Sequence, residues 1–131
     1  LPTPLVTFVS RFAPYGDFQK ARNADAIADV IANRLTIIRG TYVQDPELGT
    51  EIHKYVFEHT LEDLKDLLTD EVRRTLHDIE HTEIVDVVVD FSRDYHSAII
   101  YVIVQIEEEY MKKITLHVTK DYISLLDVGE A

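Results

Sequence analysis

Residues 83–119 read EIVDVVVDFSRDYHSAIIYVIVQIEEEYMKKITLHVT, and through them the pattern of apolar side chains has a period of two. Alternation of this kind marks strands with one buried face. Residues 83–91 put Val85, Val87, Val89 and Phe91 on one side and Asp86 and Asp90 on the other. Arg93-Asp94-Tyr95-His96 turns the chain into 97–107, where Ala98, Ile100, Val102, Val104 and Ile106 form one apolar face and Ile99, Tyr101 and Ile103 a second. A strand apolar on both faces is normally covered on both sides, so a second layer over this sheet is expected. Glu107-Glu108-Glu109 marks the next turn, and 113–119 alternates again with Ile114, Leu116 and Val118 inward. The segment 122–128 is apolar enough to dock and too short to classify.

Upstream of His81-Thr82 the period is helical. Leu61, Leu64, Leu68, Val72, Leu76 and Ile79 make a continuous stripe, with Thr60 as cap and Asp63 three residues on. Ile52, Tyr55, Val56 and Phe57 read as one or two turns. From Asn23, a candidate N-cap, Ile27, Val30, Ile31, Leu35 and Ile38 follow steps of three and four, and Arg39-Gly40 supplies a stop. Before it, Pro2, Pro4, Pro14 and Gly16 interrupt Leu5, Val6, Phe8, Val9 and Phe12, which predicts an extended arm that docks on its own domain or on a neighbour. The expected fold is α+β: an N-terminal docking arm over 1–22, then one domain over 23–131 with two amphipathic helices, a short helical turn between them, and an antiparallel sheet of three to four strands.

The chain has 131 residues, 24 acidic and 13 basic, for a formal net charge of −11. Residues 1–44 hold 5 basic and 3 acidic side chains, net +2, whereas 45–131 hold 8 and 21, net −13. A field of that sign argues against nucleic acid as partner and suits a partner with a basic face. No apolar run approaches the roughly 18 residues of a membrane span. Leu1-Pro2-Thr3-Pro4 has neither the cationic start nor the apolar core of a secretory signal. With no cysteine, disulfides, thiolate metal sites and a cysteine nucleophile are excluded.

Two patterns invite a catalytic reading. His77-Asp78-Ile79-Glu80-His81 is an H-x-x-E-H string, and on a helix His77 and His81 would share a face where both could reach one zinc while Glu80 activated a water. A third ligand is not evident, and histidines near a helix C-terminus are favoured by the dipole alone. Paired carboxylates suit glycoside hydrolysis, yet with 24 acids such pairs arise by chance. No G-x-S-x-G elbow and no glycine-rich phosphate loop is present.

The stretch Arg39-Gly40-Thr41-Tyr42-Val43-Gln44-Asp45-Pro46-Glu47-Leu48-Gly49-Thr50 is more distinctive. Read locally it is a helix connector in which Pro46 fixes φ and Gly49 permits a positive φ. Followed by Glu51-Ile52 and Val56-Phe57-Glu58, it resembles the signature of the small baseplate wedge proteins, or sheath initiators, of contractile-tailed phages. Their pattern runs from an amphipathic helix ending in a basic residue and Gly-Thr or Gly-Ser, through Asp or Asn before Pro-Glu, an aromatic residue or Leu, and Gly, to an apolar turn ending Phe-Glu. Related proteins occur in type six secretion baseplates, and the resemblance covers about residues 23–119. The family's Glu-Pro-Arg corner is here Glu80-His81-Thr82, so its role carries over for Glu80 alone.

The resemblance implies a structural subunit of the virion tail, assembled in the host cytoplasm. It would be present in several copies, six being usual, bound to other wedge proteins and to tail sheath. It implies no catalytic residue, no cofactor and no metal. The partner-binding residues it points to are Gly40, Asp45, Pro46, Glu47 and Gly49 in the loop and Glu80 at the corner. Strand-exchanging edges are expected at 5–12, with Val6 and Phe8, and at 113–119, with Ile114, Leu116 and Val118. Some members of that family carry a lysozyme-like label, and no residue pattern here supports that activity. The competing reading is an enzyme, either a cell-wall glycosidase or a small zinc hydrolase using His77, Glu80 and His81.

Overall fold

A computed structural model describes the backbone of residues 15–58 and 61–131, and side chains from residue 21 onward except that of Leu61. Helix α1 (Tyr15–Thr36) is followed by a loop, the short α2 (Ile52–Glu58), and α3 (Leu61–Thr75). Four strands then form an antiparallel meander in the order β1 (Thr82–Phe91), β2 (Ser97–Ile106), β3 (Tyr110–Thr119) and β4 (Ile123–Glu130). The expected α+β class is what the structure shows, and the short segment left unclassified is the fourth strand.

The helices lie on one face of the sheet, α1 over β3 and β4 and α3 against β1. Ala24, Ala28 and Ala32 recur every four residues on α1 and are all buried, which lets the helix axis approach the sheet closely while Ile31 and Leu35 fill the space beside them. The buried stripe is therefore rotated from the one drawn through the large residues: Val30 is 47% exposed. On α3, Leu64, Leu68 and Val72 are buried as expected and belong to the same core cluster as Val87, Ile100, Val102, Val104, Ile114 and Leu116 of the sheet.

Several local expectations are corrected. Helix α1 begins by Tyr15, so Asn23 is inside it and cannot be its cap, and residues 15–22 of the expected arm are helical. The helix ends at Thr36, not Gly40, because Ile38 leaves it to pair with Thr50 in an isolated bridge. Val6, Phe8 and the rest of 1–14, like the cap assigned to Thr60, lie outside the described residues.

Strand β1 carries a bulge between Ile84 and Asp86. One extra residue exchanges the faces on either side of it, so Ile84 packs against the core and Val85 is 49% exposed, the reverse of the alternation read from sequence. Strand β3 is paired on both sides, and Ile114, Leu116 and Val118 are fully buried. The expected exchanging edge at 113–119 is thus interior, and the free edges belong to β1 and β4. Nor do the described residues include a second layer: no described helix covers the face bearing Ile99, Tyr101 and Ile103. No helix among the described residues is long and apolar enough to cross a membrane.

Candidate functional site: the 39–50 loop and the sheet edges

The loop that carries the resemblance is held closed at its neck and open at its tip. Arg39 N–H donates to Thr50 O at 3.0 Å and Thr50 N–H to Ile37 O at 2.8 Å. Gly40 N–H donates to Pro46 O at 3.0 Å, and Asp45 closes an Asx turn onto Glu47 N–H at 3.3 Å, which folds the tip back on itself. Gly49 sits at φ +101° with Ile37 O only 2.3 Å from where a Cβ would stand, so both its backbone angle and its packing require glycine. Gly40, at φ +93°, has open space around it. Asp45, Pro46 and Glu47 are exposed, and at the tip Val43 is 93% exposed beside Tyr42.

Beneath the loop lies an ion cluster that the sequence did not announce. Glu71 on α3, its side chain 4% exposed, pairs with Arg39, accepts from Arg74 Nε at 3.0 Å and accepts from Glu51 N–H at 2.7 Å. Burial raises the Glu71 pKa, but the bonds from Arg74 and Glu51 N–H and the charge of Arg39 outweigh it, and the carboxyl is held below its ordinary value. Arg74 also reaches Gly49 O at 3.2 Å, so α3 grips the loop directly. One sequence signal existed: Glu71 stands three residues after Leu68, on the buried stripe of an otherwise apolar face.

The corner 76–81 leaves the helix. Because α3 ends at Thr75, His77 and His81 do not share a helical face, which removes the geometric basis of the zinc reading. His77 Nδ1 lies 2.8 Å from Arg74 O. His81 adopts φ +59°, and the described residues contain no group of three or more potential metal-binding side chains. Asp78 pairs with Arg34 of α1, whose hydrogen bond holds the Asp78 carboxyl below its usual value. Glu80 is 89% exposed and projects into solvent. The corner and the loop face one another across a small cleft lined by Asp45, Glu47, Gly49, His77 and Asp78, so the loop residues and this turn form one surface.

Both free edges carry a bulge and exposed charge, and they differ in their apolar side chains. On β1, Asp86 is bound by Lys65 at 2.9 Å, the bulge twists the strand, and Glu83 and Asp90 are charged and exposed. These features obstruct pairing with another strand. Strand β4 pairs only with β3, is bulged at Leu126, and exposes Leu125 and Leu126, at 42% and 55%, beside Asp127. Its end is fixed to the domain by Lys112, 6% exposed, which donates to Asp25 and Glu130 at 2.6 Å each.

At the opposite end of the sheet, a cleft of about 710 Å³ is lined by His53, Lys54, Phe57, Glu58, Tyr95, His96, Lys120 and Asp121. Burial lowers the pKa of His53, whose Nδ1 has no hydrogen-bond partner. Behind the cleft, Phe91 meets Phe57 edge-to-face at 6.3 Å and the tilted Tyr95 ring at 5.4 Å. Two lysines face two carboxylates there, so the charges select no ligand of one sign.

No family profile and no curated protein matches the chain. Among solved structures, one provisionally described as a tail lysozyme of Geobacter sulfurreducens is similar at 22% identity and a TM-score of 0.56, covering 80% of this chain and 92% of that one. At that identity the likeness is one of fold, an α+β domain shared with a protein ascribed to a tail.

Proposed function

We propose that the chain is a non-enzymatic structural subunit of a contractile-tail baseplate wedge. It binds other wedge proteins through the 39–50 loop and Glu80 and templates the first ring of tail sheath by strand addition. The observation that carries this reading is the free edge of β4, which pairs only with β3 and exposes Leu125 and Leu126 at a bulge. The loop adds a folded-back tip with Val43 93% exposed, and the similar fold of a protein described as belonging to a tail supports a place in the virion. A structural role also suits the electrostatics. Among the described residues, each carboxylate with a displaced pKa, namely Glu71, Asp78, Asp86 and Asp94, is held low, whereas a glycosidase acid needs one held high.

The test mixes purified protein with baseplate components and sheath protein and follows sheath rings by electron microscopy. Rings are expected only when the protein is present, and are expected to vanish with Leu125→Lys/Leu126→Lys at unchanged melting temperature. Rings forming equally well without the protein, or no association with any tail component, would refute the reading.

A further inference from the structure

The backbone of β4 divides its residues by where their hydrogen bonds go. Thr119 N–H donates to Tyr122 O at 2.9 Å at one end of the β3–β4 ladder, and Ala131 N–H to Met111 O at 3.1 Å at the other. Hydrogen-bonded and non-hydrogen-bonded pairs alternate along an antiparallel ladder. Counting inward from each end, Ser124, Asp127 and Gly129 turn their N–H and C=O toward β3, whereas Ile123, Leu125, Val128 and Glu130 turn theirs to the free edge. Leu126 is the extra residue of the bulge between the two halves. The four outward residues stand opposite Val118, Leu116, Ile114 and Lys112, and residues directly opposite share a face, so all four side chains lie on the helix-covered side. Ile123 is buried there, Val128 packs against the core, and Leu125 is left 42% exposed. At the far end, the exposed carboxylates of Asp25 and Glu130 share the single charge of Lys112, and β4 has no basic residue of its own.

An open row of N–H and C=O groups is satisfied by an extended chain. From Ile123 to Glu130 the row is matched on β3 by residues 112–118, a span of about 20 Å. Antiparallel pairing is slightly more stable per residue than parallel and continues the meander. Resting on the reading of β4 as a pairing edge, we infer that the segment added there is an antiparallel strand of about seven residues, basic at the position opposite Glu130 and apolar at those opposite Val128, Leu125 and Ile123. The basic residue comes first in that strand and meets the excess carboxylate beside Lys112. The apolar side chains follow at every second position and cover Leu125 on the helix side. A second copy of β4 is a poorer occupant, because it carries Asp127 and Glu130 and offers no basic residue.

The probe is the end-blocked peptide Arg-Thr-Val-Thr-Ile-Thr-Val, methylated on the backbone nitrogens of its threonines, which face away from β4 and would otherwise let peptides stack. It is titrated into the full isotopically labelled chain. Amide shifts are expected at Ile123, Leu125, Val128 and Glu130, and a spin label on the arginine end should broaden Glu130 rather than Ile123. Moving the methyl groups to the valine and isoleucine nitrogens, whose N–H groups would face β4, should abolish binding. Replacing the arginine by glutamate should weaken it about tenfold or more. Shifts centred on β1 or elsewhere, binding indifferent to where the methyl groups sit, a label nearest Ile123, no loss with glutamate, no binding at millimolar peptide, or self-pairing through β4 would each overturn the inference. All of these measurements use the unsubstituted chain, so no variant has to fold. Sheath rings that form without peptide binding would overturn the partner chemistry and leave the sheath reading standing, and peptide binding without rings would do the reverse.

Discussion

Replacing Glu71 by alanine tests whether the 39–50 loop is held from below. The change removes a side chain that is 4% exposed and leaves Glu51 N–H without its acceptor at 2.7 Å. It also leaves Arg39, 20% exposed, with only Glu51 at 3.5 Å. Breaking a buried ion pair from one side costs about 3–5 kcal/mol. Arg74 is 43% exposed, so water compensates it and its pairing adds little. The remaining contact of Arg39 with Glu51 puts the total at the lower end, about 3 kcal/mol, against the 5–15 kcal/mol of a typical domain. With a urea slope of about 1.5–2 kcal/mol/M, the unfolding midpoint should fall by about 1.5–2 M. A fall below about 0.5 M would refute the reasoning. The sign of the pH dependence is an independent check. The folded Glu71 pKa lies below its ordinary value of 4.5, so its stabilising contribution is complete above that pH and is lost as pH falls through the lower folded value. Wild type should therefore lose more stability below pH 4.5 than Glu71→Gln does. The double change Arg39→Met/Glu71→Met should restore part of what Glu71→Ala loses, since the Arg39 charge is no longer left in the cluster, while Glu51 N–H still lacks its acceptor.

Gly40→Ala should cost about 1–2 kcal/mol, from backbone strain alone. Gly49→Ala should cost more than about 3 kcal/mol, because a clash with Ile37 O is added to the strain, and thermal melts of the two variants compare them directly. Lys112→Met should accelerate amide exchange at the end of β4, where Ala131 N–H donates to Met111 O, and leave β2 protected. Asp25 and then Glu130 raise the Lys112 pKa, so its contribution is present below pH 10.5 and is lost as pH rises through the folded value. Lys112→Met should flatten that alkaline loss relative to wild type. Metal analysis of purified protein should give less than stoichiometric zinc, and His77→Ala/His81→Ala should change stability by less than about 0.5 kcal/mol. Stoichiometric zinc lost on that substitution would revive the hydrolase reading.

By itself the sequence determined the class and the order of elements, because periodicity is a property of neighbouring residues: Leu64, Leu68 and Val72 describe a helical face, and Ile100, Val102 and Val104 a strand face, before any tertiary contact exists. It also marked Gly49 through local turn chemistry. What it could not express is pairing between distant segments. The bulge at Val85 depends on the register of β1 against β2, and it reversed a face that alternation alone had assigned. Whether 113–119 is an edge depends on β4 adding to it, which a segment too short to classify did not announce. The ion cluster joins Arg39, Glu51, Glu71 and Arg74 from a loop and a helix, and burial in the tertiary structure makes that cluster the anchor of the loop. The apolar strip on β2 was legible as Ile99, Tyr101 and Ile103, but only the packing of the described helices on the opposite face leaves it half-buried. Local chemistry chose the elements, and the register and layering of the sheet decided which of their surfaces face outward.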